Sequence, residues 1–181
     1  IAGGMPVGVA MFLSLAIGTG FGLISGVLVT KGRLQPFIAT LITMTVYRGL
    51  TMIFMDGKPI SNLGDSFFLK LVGKGNLFGI PIPVILFLVV FAIFVFILEK
   101  TTFGRRIYAT GSNWKSAKLA GVNIDLTKMA AYAISGCMAA VSGLILLSRL
   151  GSAQPTLGDG YELDAIAAVA LGGTSMNGGR G

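Results

Sequence analysis

The chain has 181 residues, 54% of them hydrophobic and 12% charged, with 14 Lys and Arg against 7 Asp and Glu and a mean hydropathy of +0.84. Ordinary globular domains carry about 25% charged residues, so a water-soluble class is excluded: too much apolar surface would have to be hidden. The net charge of +7 would serve a nucleic-acid binder only with its basic side chains gathered on one solvated face, and here they are parcelled between apolar tracts.

Four tracts are free or nearly free of charge: residues 1–30, 34–55 (broken only by Arg48), 75–98 and 129–148. Each holds the roughly 20 apolar residues that a helix needs to cross ~30 Å of hydrocarbon. A buried core helix is shorter and shares its chain with amphipathic partners, which are missing here. The expected fold is all-α: one polytopic membrane domain over 1–181, with spans at about 6–30, 36–55, 80–98 and 129–149 and a short broken or re-entrant helix at about 161–176.

In the first span Ser14, Gly18, Gly22 and Gly26 recur at steps of four, a stripe that lets a second helix approach closely in lipid. The second span opens at Pro36, suited to a first helical turn, and brings Thr40, Thr43, Tyr47 and Arg48 to one side. An intramembrane ionisable group is a functional candidate, while snorkelling outward along its own stem is the structural alternative for Arg48. The following loop is dense in Gly, Pro and Asn, with an apolar patch at Phe67, Phe68, Leu69, Leu71 and Val72 suited to the membrane surface. Its "GKGNLFG" lacks the spacing of a phosphate loop, so the chain has no visible means of hydrolysing ATP. The third span, "PVILFLVVFAIFVFIL", is Phe-rich and lacks glycine, which suits a lipid-facing helix.

The connection at 99–128 holds a polar helix, "GSNWKSAKLAGVN". Asn113, Ser116, Ala117 and Ala120 fall at helical spacing and form a small face to which a partner surface can come close, with Trp114, Lys115, Lys118 and Gly121 around it. Gly121 is placed to end the helix. The fourth span carries Ser135, Gly136, Ala139, Ala140 and Gly143 and is expected inside the bundle. Beyond it only Ala165–Leu171 is continuously apolar before Gly172 and Gly173. Those seven residues rise ~10 Å, a third of a crossing, and broken segments of this kind survive at depth only when buried in protein or lining a watery cavity. Thr40, Tyr47, Arg48, Glu162, Asp164, Gly172 and Gly173 are therefore the candidates for a translocation path.

Short loops rich in Lys and Arg stay cytoplasmic. Eight of the fourteen basic residues lie in two alternate loops, Lys31 and Arg33 in one, Lys100, Arg105, Arg106, Lys115, Lys118 and Lys128 in the other. These loops are expected inside, and residues 56–75 and 151–159 outside. The absence of histidine excludes a His-based triad, an HExxH zinc site and a His-held haem, and the lone Cys137 cannot form an internal disulfide. No catalytic or metal-binding group is expected.

Two stretches, "FGRRIYATGSNWKSAKLAGV" and "SAQPTLGDGYELDAIAAVALGGTSMNGGRG", closely resemble the inner-membrane permeases of ribose-type monosaccharide ABC importers, in the wider family that includes branched-chain amino-acid permeases. The likeness extends to "PFIATLITMTVYRGL" and "FGIPIPV". It implies a homodimeric permease in the bacterial inner membrane that makes and breaks no covalent bond. It also implies a periplasmic sugar-binding protein and a separate ABC ATPase holding ATP and Mg. The polar helix then corresponds to the coupling helix docked on that ATPase, at Asn113, Trp114, Lys115, Ser116, Ala117, Ala120 and Gly121; where the family often has an acidic or other polar residue and an alanine, this chain has Trp114 and Lys115. With no initiator Met and an abrupt close at "MNGGRG", the sequence is expected to be a fragment of a longer protein, truncated at both ends.

An ion-coupled secondary transporter is the competing reading. It would place a carboxylate in mid-span, whereas Asp159, Glu162 and Asp164 lie near the outer edge. A membrane enzyme would need paired carboxylates at depth, and Glu162 and Asp164, two apart, diverge on a helix.

Overall fold

The computed structural model describes residues 6–61, 73, 75–77, 79–175 and 178–179. In chain order its elements are α1 (Val7–Thr30), α2 (Pro36–Phe54), β1 (Ile60–Ser61), β2 (Asn76–Leu77), β3 (Ile80–Pro81), α3 (Ile82–Lys100), α4 (Thr102–Ser112), α5 (Trp114–Leu119), α6 (Ile124–Leu150), β4 (Ser152–Ala153) and α7 (Tyr161–Leu171). Four of these helices, α1, α2, α3 and α6, are long and apolar enough to cross a membrane. The apolar patch expected on the membrane surface at 67–72 lies outside the described residues.

The chain divides into two compact units, residues 1–87 with 129–157, and 88–128 with 158–181. In the first, α1 and α6 run antiparallel along a seam of glycines. A Cβ on Gly18 would stand 2.6 Å from Ala140 Cβ and 2.8 Å from the Gly136 carbonyl oxygen; one on Gly22 would meet the Tyr132 carbonyl; one on Gly26 would lie 3.1 Å from Met129 Cα. Gly136 returns the approach, its missing Cβ pointing at the Gly18 carbonyl. Backbones this close gain dispersion along their whole length, and that is the currency of helix association where lipid is as apolar as the protein. Ser14, the fourth member of the stripe, is engaged with its own helix and donates to the Met11 carbonyl at 2.9 Å.

A turn with Arg33 at φ +51 leads from α1 into α2, where Pro36 takes the first helical position. Beyond α2, β1 pairs antiparallel with β4, Ile60 opposite Ala153 and Ser61 opposite Ser152. That ladder ties the exits of α2 and α6 together. Gly73 abuts the end of α6 at Ser148 and Arg149, and β2 and β3 close a small hairpin just before α3.

The second unit is built around two consecutive polar helices. Thr101 caps α4, its hydroxyl accepting from the Gly104 amide at 3.3 Å, and Gly104 lets α4 fold directly beneath the end of α3: a Cβ there would run into the backbone of Leu98. The connection at 99–128 therefore holds two helices where the sequence indicated one. It is also shorter than expected at its far end, because α6 begins at Ile124 and carries Lys128 in its second turn.

Candidate functional site

In the first unit a cavity of about 380 Å³ lies between α1, α2 and α6. Hydroxyls dominate its polar lining: Ser25 from α1, Thr40, Thr43 and Tyr47 from α2, Tyr132 and Ser135 from α6. The α2 positions stand at i, i+3 and i+7, one face of a helix. Gly18, Gly22 and Gly136 form its floor, so the glycine seam and the cavity share one wall.

Two contacts fix this lining. Phe21 and Tyr47 stack with ring centroids 4.2 Å apart and planes 17° from parallel, and the Tyr47 hydroxyl donates back to the Phe21 carbonyl at 3.1 Å. Deeper, Ser25 Oγ and Thr43 Oγ1 approach to 3.2 Å, both residues buried. Thr43 gives its proton to its own helix at the Ala39 carbonyl, 3.1 Å away, which leaves its oxygen to accept from Ser25. Backbone carbonyls of α1 and α2 accept from the hydroxyls of Ser25, Thr40, Thr43 and Tyr47. The lining is mostly apolar and uncharged, with a few hydroxyls and a stacked pair of rings set in it.

Of the sequence candidates for a path, Thr40 and Tyr47 line this cavity and Arg48 does not; one residue on from Tyr47, it is turned by 100° around the helix. Phe21, Ser25, Met44 and Tyr132 also line it and were absent from the sequence reading. The only signal they offered was the alignment of Ser25 with the glycine stripe, one residue ahead of Gly26.

Glu162, Asp164, Gly172 and Gly173 belong to the second unit. Both carboxylates stand in the first turn of α7, where the helix dipole favours negative charge, and the helix stops where Gly173 turns to φ +84. Every residue of α7 except Glu162 is exposed.

The helix at 114–119 is framed as a short independent element. Asn113 caps it, Oδ1 accepting from the amides of Lys115 and Ser116 at 3.1 and 3.2 Å. At the far end Gly121, at φ +80, donates to the Lys118 carbonyl while Val122 donates to that of Ala117, the two-bond cap that a left-handed glycine permits. Of the small face expected to meet a partner, Ala117 is only 5% exposed within this chain, where α5 packs against α4. What α5 presents outward is Trp114, at 55% exposure, and Leu119, at 91%, with the Lys115 ammonium 5.6 Å from the indole centroid. Asn113, Ser116, Ala120 and Gly121 are exposed beside them.

The model of the family described as "Branched-chain amino acid transport system / permease component" matches residues 1–179. The chain belongs to that permease family. It is 52% identical to the ribose import permease protein RbsC of Bacillus subtilis over 157 residues, 87% of this chain and 49% of the relative. To RbsC of Haemophilus influenzae it is 49% identical over 181 residues, 98% of this chain and 55% of the relative. The L-arabinose transport system permease protein AraH of Escherichia coli is 42% identical over 158 residues, 87% of this chain and 48% of the relative. The chain spans about half the length of the curated relatives it matches. No solved structure matches it. Permease relatives and four apolar helices make it a multi-pass protein of the inner (plasma) membrane.

Proposed function

We propose that this chain forms part of the membrane-spanning permease of an ATP-driven ABC importer that moves a ribose-like monosaccharide by alternating access. Its likeness to sugar permeases along nearly its full length carries the reading. The cavity agrees with it. A neutral polyol asks for hydroxyl partners and a flat ring to lie against, and a site with a few placed polar groups on an apolar frame supplies both; Ser25, Thr40, Thr43 and the Phe21–Tyr47 pair are such a set. In this reading Thr40 and Tyr47 face the solute, and α7 with its Gly172–Gly173 stop lines another stretch of the path. Arg48, Glu162 and Asp164 remain candidates for its charged rim.

The chain itself hydrolyses nothing. ATP and Mg belong to a separate ABC ATPase, a periplasmic sugar-binding protein delivers the solute, and a second copy of the permease completes a homodimer. The ATPase docks on α5, whose exposed Trp114 and Leu119 offer apolar anchors on an otherwise basic surface.

Reconstitution of the full-length permease with its ATPase in sealed vesicles, fed by binding protein loaded with labelled ribose, tests this. Uptake is expected to require ATP, with L-arabinose and D-allose as competitors that rank the sugar. Uptake that follows an imposed sodium or proton gradient without ATP would overturn the importer reading. In the same vesicles Leu119→Glu is expected to insert normally and to lower uptake roughly tenfold or more, since an unpaired charge in an interface costs about 2 kcal/mol or more. Parental uptake by Leu119→Glu removes α5 as the dock.

A further inference from the structure

The cavity between α1, α2 and α6 has two chemically different walls. Every Ser, Thr and Tyr of α1 and α2 spends its hydroxyl proton inside the protein. Around the cavity Thr40 donates to the Pro36 carbonyl at 3.0 Å, Thr43 to that of Ala39 at 3.1 Å, and Ser25 and Tyr47 both to that of Phe21 at 3.1 Å. Elsewhere on the two helices Ser14, Thr19, Thr30, Thr45 and Thr51 are bonded back to carbonyls of their own helix. A helix in hydrocarbon favours this arrangement, because a hydroxyl without a partner there has no water to turn to.

On α6 the two hydroxyl residues of the cavity break the pattern. Tyr132 and Ser135 line it and stand three apart, on one side of their helix. Neither hydroxyl has a hydrogen-bond partner among the described residues. The wall from α1 and α2 therefore offers oxygens that can only accept, and the wall from α6 offers protons as well. A group held between them satisfies both walls if it donates to one and accepts from the other. A hydroxyl does so, an ether oxygen can only accept, and a C–H does neither.

We infer that Tyr132 and Ser135 are the residues that select the solute: their hydroxyls donate to its oxygens, while Thr40 and Tyr47 accept from its hydroxyls. Solute class follows from the pairing. Neighbouring hydroxyls on a small ring are recognised, and an analogue that lacks one of them leaves a proton on α6 unmatched, which is how a site built on hydrogen bonds rejects the wrong ligand. The inference rests on the sugar reading above and deepens it by naming the side chains that read the sugar.

The test reads binding, in the full-length permease held in lipid nanodiscs without ATPase or binding protein, so that no other protein selects. D-Ribose and its 2-, 3- and 5-deoxy analogues are titrated by saturation-transfer NMR. The parent is expected to bind at least one analogue about fivefold more weakly than ribose, the worth of one neutral hydrogen bond. Tyr132→Phe and Ser135→Ala each remove one oxygen and keep the rest of the side chain. In each, ribose is expected to weaken about fivefold while the analogue lacking the matched hydroxyl changes by less than about twofold, the signature of a direct contact in a double-substitution cycle. A general loosening of the helices would instead weaken all four sugars by one factor. Ser14→Ala, outside the cavity, is expected to discriminate as the parent does. The assignment is overturned by a parent that binds none of the four sugars or binds all alike, by α6 variants that weaken all four equally or leave all unchanged, or by the same loss of discrimination in Ser14→Ala. ATP-driven uptake decides the importer reading separately: ribose can be imported with this assignment overturned, and the discrimination can stand in a carrier that runs on an ion gradient.

Discussion

α1 and α3 are both long apolar helices, yet they meet the protein in opposite ways. Along α1 the glycines at 18, 22 and 26 sit against α6, and Gly22, Ser25, Gly26 and Val29 are buried; along α3, with its run of Phe, Val, Ile and Leu, no residue is buried. The more apolar helix is the one with less protein around it. In water that would be perverse, but where lipid competes equally for apolar side chains, inside positions are chosen by how closely a backbone can approach and by which hydroxyls find partners. Small and hydroxylated residues mark the interior; large aliphatics and Phe mark the surface.

The contrast breaks most visibly at the seam. Gly22→Ala puts a methyl group onto the Tyr132 carbonyl and is expected to lower stability by about 1–3 kcal/mol, the usual cost of overpacking, as read by denaturant titration in mixed micelles. Gly20, two residues away, has nothing within 4 Å of its Cβ position, and Gly20→Ala is expected to be neutral or to gain up to ~1 kcal/mol from helix propensity. Equal losses at both sites would mean that residue type, not seating, sets the effect. A smaller separation is expected at the cavity. Tyr47→Ala removes both the ring stack and the bond to the Phe21 carbonyl, for about 1–2 kcal/mol, and Tyr47→Phe removes only the bond, for about 0.6 kcal/mol. Identical values in the same titration would leave the stacked pair without a role. The least change is expected on α3: Phe96→Leu, at an exposed position, should stay within about 0.5 kcal/mol of the parent, and a larger loss would put a neighbour against α3 after all.

Much of this was legible because period alone decides it. Hydropathy gives the four long helices, steps of four put Gly18, Gly22 and Gly26 on one line, and Gly121 announces the end of α5, whereas Asn113, read as part of the small face, proves to be its cap. What period cannot supply is direction. The wheel of α5 grouped Ala117 with Ser116 and Ala120, yet nothing in it tells which of them looks onto α4; the fold turns Ala117 in and leaves Ser116, Ala120 and Leu119 out. Nor does it supply partners far apart in sequence: the Phe21–Tyr47 stack joins two helices across 26 residues, and without it Phe21 reads as one more lipid-facing ring. α4 was missed for a third reason. Its cap at Thr101 and its apolar positions Phe103 and Ile107 were present, but they lay inside a connection read for its charge.

The ladder of two residues between β1 and β4 has a mechanical reach beyond its size. It holds the exit of α2 to the exit of α6, while at the opposite end α2 is held to α1 by the turn of residues 31–35. A rod fastened at both ends to different neighbours is not free to translate away from either, so the ladder at one end and the turn at the other hold Thr40, Thr43 and Tyr47 together at the mouth they border.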